Sequence, residues 1–150
     1  MPGTFSQIYI QAVFAVKYRE NLIEKEWKDQ LNKYIAGTIR QLGHKPIITN
    51  GMPDHIHIFF GMKPAGSISD IIRDIKSNST NFINDNKMAV SHFSWQQGYG
   101  AFSYGHSQIS NVYKYIENQE DHHKKKTFKQ EYIQFLKKFE VEYDERYLFD

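Results

Sequence analysis

Two histidines flank one apolar residue in His55-Ile56-His57, and about sixty residues later Tyr115 is followed four positions on by Gln119. In a β-strand alternate side chains share a face, so both imidazoles would stand side by side while Ile56 points the other way. On a helix a spacing of four puts Tyr115 and Gln119 on one side. A two-histidine strand beside a Tyr/Gln helix describes a metal site with a phenolic nucleophile next to it. A lone His-x-His is weak evidence, because structural histidines produce it often. Three features strengthen it: the pair lies in a strand, Asp54 adjoins it, and Ile56, Ile58 and Phe60 form the opposite, apolar face. A buried structural pair would need two separate sets of hydrogen-bond partners.

The positioning elements follow from periodicity. Residues 7–18 (QIYIQAVFAVKY) are rich in β-branched and aromatic residues and predict a strand. Residues 24–42 place Trp27, Leu31, Tyr34, Ile35, Ile39 and Leu42 at three- and four-residue intervals, which predicts an amphipathic helix ending at Gly43. A short strand over 44–50, a tight turn at Asn50-Gly51 and a strand over 54–62 form the expected hairpin. Ile68, Ile71, Ile72 and Ile75 mark a second helix over 67–84, capped by Ser67 or Ser69. A short strand is expected over 92–95, and the glycine-rich stretch 97–105 reads as a loop. Helices over 107–122, with Ile109, Val112, Tyr113 and Ile116 as the apolar side, and over 127–139 complete the chain. The order strand, helix, strand, strand, helix, strand spells the ferredoxin-like split βαβ plan: an α+β fold whose antiparallel sheet carries helices on one face and leaves the other available. A C-terminal helical extension carries Tyr115.

At 150 residues the chain reads as a single domain over 1–150, large enough for a genuine core. Charged residues at 24% exclude a hydrophobic membrane protein, and 15% aromatics argue against disorder. No apolar run approaches the roughly 20 residues that span a bilayer. Residues 1–11 lack the pattern of a secretion signal, and cysteine is absent, which removes disulfides, thiolate nucleophiles and Cys–zinc sites. Both observations suit the cytoplasm. A net charge of +2 gives little support by itself for nucleic-acid binding.

At this point the motifs converge on a family. His55-Ile56-His57 resembles the His-hydrophobic-His motif of the HUH nucleases, and Tyr115 with Asn118-Gln119 resembles the single-tyrosine HUH transposases of small bacterial insertion sequences. Gly51-Met52-Pro53-Asp54, the stretch 95–103 (WQQGYGAFS) and the stretch 115–123 (YIENQEDHH) also resemble that family in order and spacing. Tyr104-Gly105-His106 departs from it, where smaller residues are the family's habit. The resemblance implies a metal-dependent DNA transposase that cleaves and rejoins single-stranded DNA at insertion-sequence hairpin ends. Tyr115 would be the nucleophile, and a 5′-phosphotyrosine and a free 3′-hydroxyl the products of cleavage. His55, His57 and Gln119 would hold Mg²⁺ or Mn²⁺. It also implies a homodimer with composite sites, in which the helix bearing Tyr115 can serve the partner's histidines and Gly98, Gly100 and Gly105 form the hinge; whether the sites assemble in cis or in trans stays open at this level.

Rival readings accompany each residue. Tyr113, two positions from Tyr115, fits the apolar stripe and is expected in the core. His122 and His123 are candidates for metal or DNA contacts, and against that a polar helix end, which the helix dipole favours, is the preferred reading. Asp54 either orients a histidine or finishes the turn after Pro53. Arg73 and Lys76 on the second helix, with Lys17 and Arg19 after the first strand, are candidate phosphate contacts. A domesticated relative acting on genomic repeat hairpins would share the whole pattern. A non-catalytic ferredoxin-like nucleic-acid-binding module would not need the complete His-His-Tyr-Gln set.

Overall fold

The structure, a computed structural model, describes residues 3–149. Alternation in the first strand decides its layout. In β1 (Tyr9–Ala15), Ile10, Ala12 and Phe14 point to one face, while Gln11, Val13 and Ala15 point to the other. β1 lies between β3 (His55–Gly61) and β4 (Gly100–Tyr104), and β2 (Lys45–Met52) pairs with the far edge of β3. The strand order is β2-β3-β1-β4, all pairs antiparallel, as the split βαβ plan requires.

The first face carries the larger core. Ile56, Ile58 and Phe60 of β3 join Ile10, Ala12 and Phe14, and α1 (Lys25–Gln41) adds Trp27, Leu31, Ile35 and Ile39. α2 (Ile68–Asp85) adds Ile71, Ile72, Ile75 and Ile83. Ser67 caps α2 by accepting from the Asp70 amide at 3.4 Å. Each buried Ile, Leu or Phe contributes roughly 1.5–3 kcal/mol from its apolar surface.

The second face does not stand open. α3 (Ile109–Glu117), α4 (Gln119–His123) and α5 (Phe128–Lys138) fold back across it. Val112 and Ile116 cover Phe59, while Phe128, Tyr132, Phe135 and Leu136 cover Val13, Ala15 and Phe102. Thr127 starts α5 with a capping box: its hydroxyl accepts from the Gln130 amide, and the Gln130 side chain accepts from the Thr127 amide. Gly100 permits the fit, since a Cβ there would stand 2.8 Å from the Tyr132 ring.

Five local expectations change. The hairpin turn falls at Pro53-Asp54, because Met52 pairs with His55 and keeps Asn50-Gly51 inside β2. The fourth strand lies within the glycine-rich stretch, at Gly100–Tyr104; of residues 92–95 only Trp95 bridges to the sheet, at Val16. Glycines hide a strand from periodicity, yet Gly100 and Phe102 still alternate with Ala101 and Ser103. The first strand stops at Ala15, and Tyr18 and Arg19 adopt positive φ of 58° and 55° in a short 3-10 turn (Lys17–Arg19). The expected helix over 107–122 breaks at Asn118 (φ −96°, ψ 25°), separating α3 from α4. Tyr113 lies outside the core at 39% exposure, since Val112 and Ile116 define the side of α3 that meets the sheet.

Candidate active site

Strand register delivers both histidines to the second face. His55 and His57 are fully buried, with ring centroids 5.2 Å apart. Their Nδ1 atoms face back to supporting groups. His55 Nδ1 lies 2.7 Å from Asp54 Oδ1, so Asp54 orients the ring from the hairpin turn. Gln11 Nε2 lies 3.0 Å from His57 Nδ1, and Gln11 Oε1 accepts from the Tyr104 hydroxyl at 2.7 Å. Phe128 stacks on His55 at 4.1 Å. Both Nε2 atoms turn toward α4 and α5. For His55, whose Nδ1 faces a carboxylate, this is the arrangement in which an outer hydrogen bond aims a ligating imidazole, whereas His57 Nδ1 accepts from the Gln11 amide and its Nε2–H donates to Glu131 Oε1.

The break at Asn118 presents Tyr115 and Gln119 from two helices rather than one. The Asn50 side chain donates to the Ile116 carbonyl at 2.8 Å and ties the end of α3 to the hairpin. Tyr115 is half-buried, and its hydroxyl donates to Glu131 Oε2. Gln119 is fully buried. Its Nε2 donates to Glu131 Oε2 at 3.3 Å, and its Oε1 lies 3.1 Å from His123 Nε2 and 3.5 Å from His55 Nε2. The structure thus brings together four of the sequence-predicted residues: His55, His57, Tyr115 and Gln119.

Two further members join them, of which sequence reasoning missed Glu131 and gave His123 only as the lesser alternative. Glu131 of α5 is 1% exposed, and its Oε1 lies 3.1 Å from His57 Nε2, 3.2 Å from His123 Nε2 and 3.7 Å from His55 Nε2. His123, expected at a polar helix end, instead joins the cluster, and His122 stacks on the Tyr115 ring at 4.5 Å. Both had a sequence signal. His123 follows Gln119 by the same four-residue step that links Gln119 to Tyr115. Glu131 is an acid set among Phe128, Tyr132 and Phe135, on the side of α5 that must be buried.

Electrostatics tie the group together. Burial pushes His55 down to about 4, against the opposing pull of Asp54. Burial disfavours a charge on Glu131, but hydrogen bonds from His123 and His57 outweigh it and hold the carboxyl well below the usual range. Burial, followed by the charge of Glu131, pushes the Tyr115 phenol well above its ordinary value. Positive charge delivered beside Glu131 would reverse that second effect. One ligand atom from each of His55, His57, His123 and Glu131 lies within 4.8 Å of the others. Three imidazoles, a carboxylate and an amide oxygen converging in a buried space form a donor set that fits a divalent cation.

A cavity of about 360 Å³ borders Tyr115 and Glu131, with Gln11, Asn111, Lys126 and Lys138 in its wall. The candidate phosphate contacts lie elsewhere. Arg73 pairs with Asp70 and Asp74, both at 3.2 Å, on the exposed side of α2. The Lys76 ammonium donates to the carbonyls of Gln96, Gln97 and Gly98 at 2.7–3.1 Å, and so fastens the loop before β4. Lys17 lies over the Tyr18 ring, and Arg19 over Phe149, which packs on Phe128.

Comparison with known proteins bears on the family and the fold. The chain is 25% identical over 124 residues to the ISDra2 transposase TnpA of Deinococcus radiodurans, covering 79% of this chain and 89% of that protein. Its fold resembles the crystal structure of a candidate transposase from Deinococcus radiodurans R1, with a TM-score of 0.63 and 22% identity over 79% of this chain and 95% of the other. It also resembles a REP-associated tyrosine transposase solved bound to a REP hairpin, with a TM-score of 0.58 and 15% identity over 82% of this chain and 74% of the other. The model of the IS200-like transposases matches residues 4–119, from before β1 to the glutamine of the site, and the chain belongs to that family.

Proposed function

We propose that this transposase cleaves and rejoins single-stranded DNA at hairpin ends, with Tyr115 as nucleophile. The observation that carries the reading is the meeting of the Tyr115 hydroxyl with a buried cluster that includes both histidines of the strand motif. Tyr115 Oη forms a bond to the scissile phosphorus and loses its proton, while the bond from phosphorus to the 3′ oxygen breaks and that oxygen leaves as a hydroxyl. The products are a 5′-phosphotyrosine and a free 3′-hydroxyl. The link conserves the phosphodiester's energy, so a 3′-hydroxyl reverses the step and joins strands without a nucleotide cofactor.

His55, His57 and Gln119 would hold Mg²⁺ or Mn²⁺. When bound, that ion supplies charge neutralisation and polarisation of the phosphate. Asp54 and Gln11 aim the imidazoles; Glu131 holds the tyrosine hydroxyl among them. The fold relative solved on a REP hairpin supports a hairpin as the bound form of the DNA. Lys17, Arg19 and Arg73, the last with its side chain 67% exposed, are the proposed phosphate contacts, and Lys76 acts through the loop it fastens. The reading includes a homodimer acting in the cytoplasm, each subunit building its site in cis, since Tyr115 and Gln119 meet the histidines of their own chain. Among the described residues no helix is long and apolar enough to cross a membrane.

The test is incubation with hairpin-ended single-stranded oligonucleotides and Mg²⁺ or Mn²⁺, resolved on a denaturing gel. A covalent protein–DNA band is expected that disappears with Tyr115→Phe and with EDTA. A band that persists in Tyr115→Phe moves the role to another tyrosine. Mixing His57→Ala and Tyr115→Phe chains is expected to restore nothing; restored activity would show assembly in trans.

A further inference from the structure

The family match ends at Gln119, yet two residues of the buried cluster lie beyond it: His123 at the end of α4 and Glu131 in α5. We infer that the C-terminal extension supplies two further metal ligands, His123 Nε2 and Glu131 Oε1, so that a single chain holds its cation through three imidazoles, a carboxylate and the Gln119 amide oxygen. The inference rests on the metal site proposed above and deepens it.

Spacing is the first argument. Nitrogen and oxygen ligands about 2.0–2.2 Å from a shared ion stand about 3.0–3.6 Å from one another. Glu131 Oε1 lies 3.1, 3.2 and 3.7 Å from the Nε2 atoms of His57, His123 and His55. Gln119 Oε1 lies 3.1 and 3.5 Å from those of His123 and His55. Four of these five separations fall inside that range and the fifth lies just beyond it, so one ion could sit among these atoms.

The hydrogen-bond inventory is the second. His55 Nδ1 is 2.7 Å from the Asp54 carboxylate, which can only accept, so Nδ1 carries the proton and a neutral ring turns a lone pair at Nε2 inward. That lone pair faces two oxygens, Glu131 Oε1 and Gln119 Oε1. Protons on His57 Nε2 and His123 Nε2 bridge these oxygens in the ion-free chain, and a cation bound among the same atoms would replace those protons as the group that the lone pairs face. Glu131 Oε2 is already used by the Tyr115 hydroxyl and by Gln119 Nε2, which leaves Oε1 for the ion. Glu131 would therefore join the two halves of the site: one oxygen on the cation, the other on the nucleophile's hydroxyl.

A nitrogen-rich set has a consequence for the ion. Imidazoles suit first-row transition ions, whereas Mg²⁺ prefers oxygen ligands and water. The site should take Mn²⁺ and Co²⁺ ahead of Mg²⁺.

Binding to the full chain decides the matter without reference to DNA cleavage. Calorimetry with Mn²⁺ should give one ion per chain, and Co²⁺ should give a visible absorption band of low coordination number. Glu131→Gln and His123→Gln should each weaken Mn²⁺ binding more than tenfold and change the intensity of the Co²⁺ band, because the first replaces a charged carboxylate oxygen, and the second an imidazole nitrogen, with a neutral amide. Melting curves in EDTA verify that each variant folds. His123 lies at the edge of the cluster, with its side chain 12% exposed, and gives a second route if Glu131→Gln fails to fold. If His57→Ala abolishes binding while both variants keep the parent's affinity and Co²⁺ spectrum, the inference falls and the two-histidine site stands. If the parent binds no Mn²⁺, both fall together.

Discussion

On one face of the sheet Ile10, Ala12, Phe14, Ile56, Ile58 and Phe60 meet the isoleucines and leucine of α1 and α2, and the buried hydroxyls there, Ser79 and Thr38, are satisfied by helix carbonyls. On the other face the same strands present Gln11, His55 and His57, and α4 and α5 answer with Gln119 and Glu131, all of them buried. Aromatic rings enclose that polar group: Phe128 on His55, Tyr115 and Phe135 beside His57, Phe102 stacked on Phe135. One face is closed by apolar surface that needs no partner in particular. The other is closed by groups that each need a specific partner, at a cost in desolvation that only complete satisfaction offsets. A polar network placed on an already stable sheet can afford that cost.

The comparison breaks if single substitutions on the two faces behave alike. His57→Ala should lower DNA cleavage by at least about a thousandfold, the scale seen when a member of a catalytic set is removed, while the protein remains folded at 25 °C. Phe14→Ala on the first face should do the opposite. It should cost about 3–5 kcal/mol of stability, the penalty of an emptied aromatic site, with cleavage per folded molecule unchanged. Urea unfolding and single-turnover cleavage on the same two variants measure both.

Acid sharpens the contrast. Burial lowers His55 from its ordinary 6.5 to about 4, so between those values the unfolded chain takes up a proton that the folded chain refuses. Stability is complete above about 6.5 and is lost as pH falls toward 4, by about 3 kcal/mol. Glu131, whose carboxyl is held below its ordinary 4.5, acts in the same direction under that value, since the folded state must give up an ionised group. Melting temperature from pH 7.5 to 4 should fall steeply for the parent and for Phe14→Leu, and less steeply for His55→Asn. Equal slopes in all three would place the acid response outside the cluster.

The smallest effect concerns the rim. If Arg73 touches a phosphate, Arg73→Ala should reduce the salt slope of single-strand binding by about 0.7. Lys76→Met should act differently: with its ammonium on three loop carbonyls, its loss should loosen residues 96–98 and lower affinity at every salt concentration with little change in slope. Filter binding across a salt series separates the two.

Much of this molecule was legible from one dimension. Alternation in β1 and β3 and the three- and four-residue steps of α1 and α2 are local patterns that secondary structure reads directly, and they yield the sheet order through the split βαβ plan. His55-Ile56-His57 was legible for the same reason: a strand puts alternate residues on one face whatever packs against it. β4 was hidden because glycines carry no side chain to show a period, and the break at Asn118 because helix ends depend on what anchors them, here the Asn50 side chain holding the Ile116 carbonyl.

The chain by itself determined which residue types were present, which of them shared a strand face or a helix side, and that Tyr115 and Gln119 belonged with a histidine pair. Only the tertiary structure decided that the C-terminal helices return over the second face, that Tyr113 faces outward, and that His123 and Glu131 stand among the histidines. Those choices are long-range. They depend on α5 burying Phe128, Tyr132 and Phe135 against β1 and β4, and a residue's place in such packing is set by surfaces distant in the chain. Glu131 shares the buried side of that helix and is carried into the site by its aromatic neighbours.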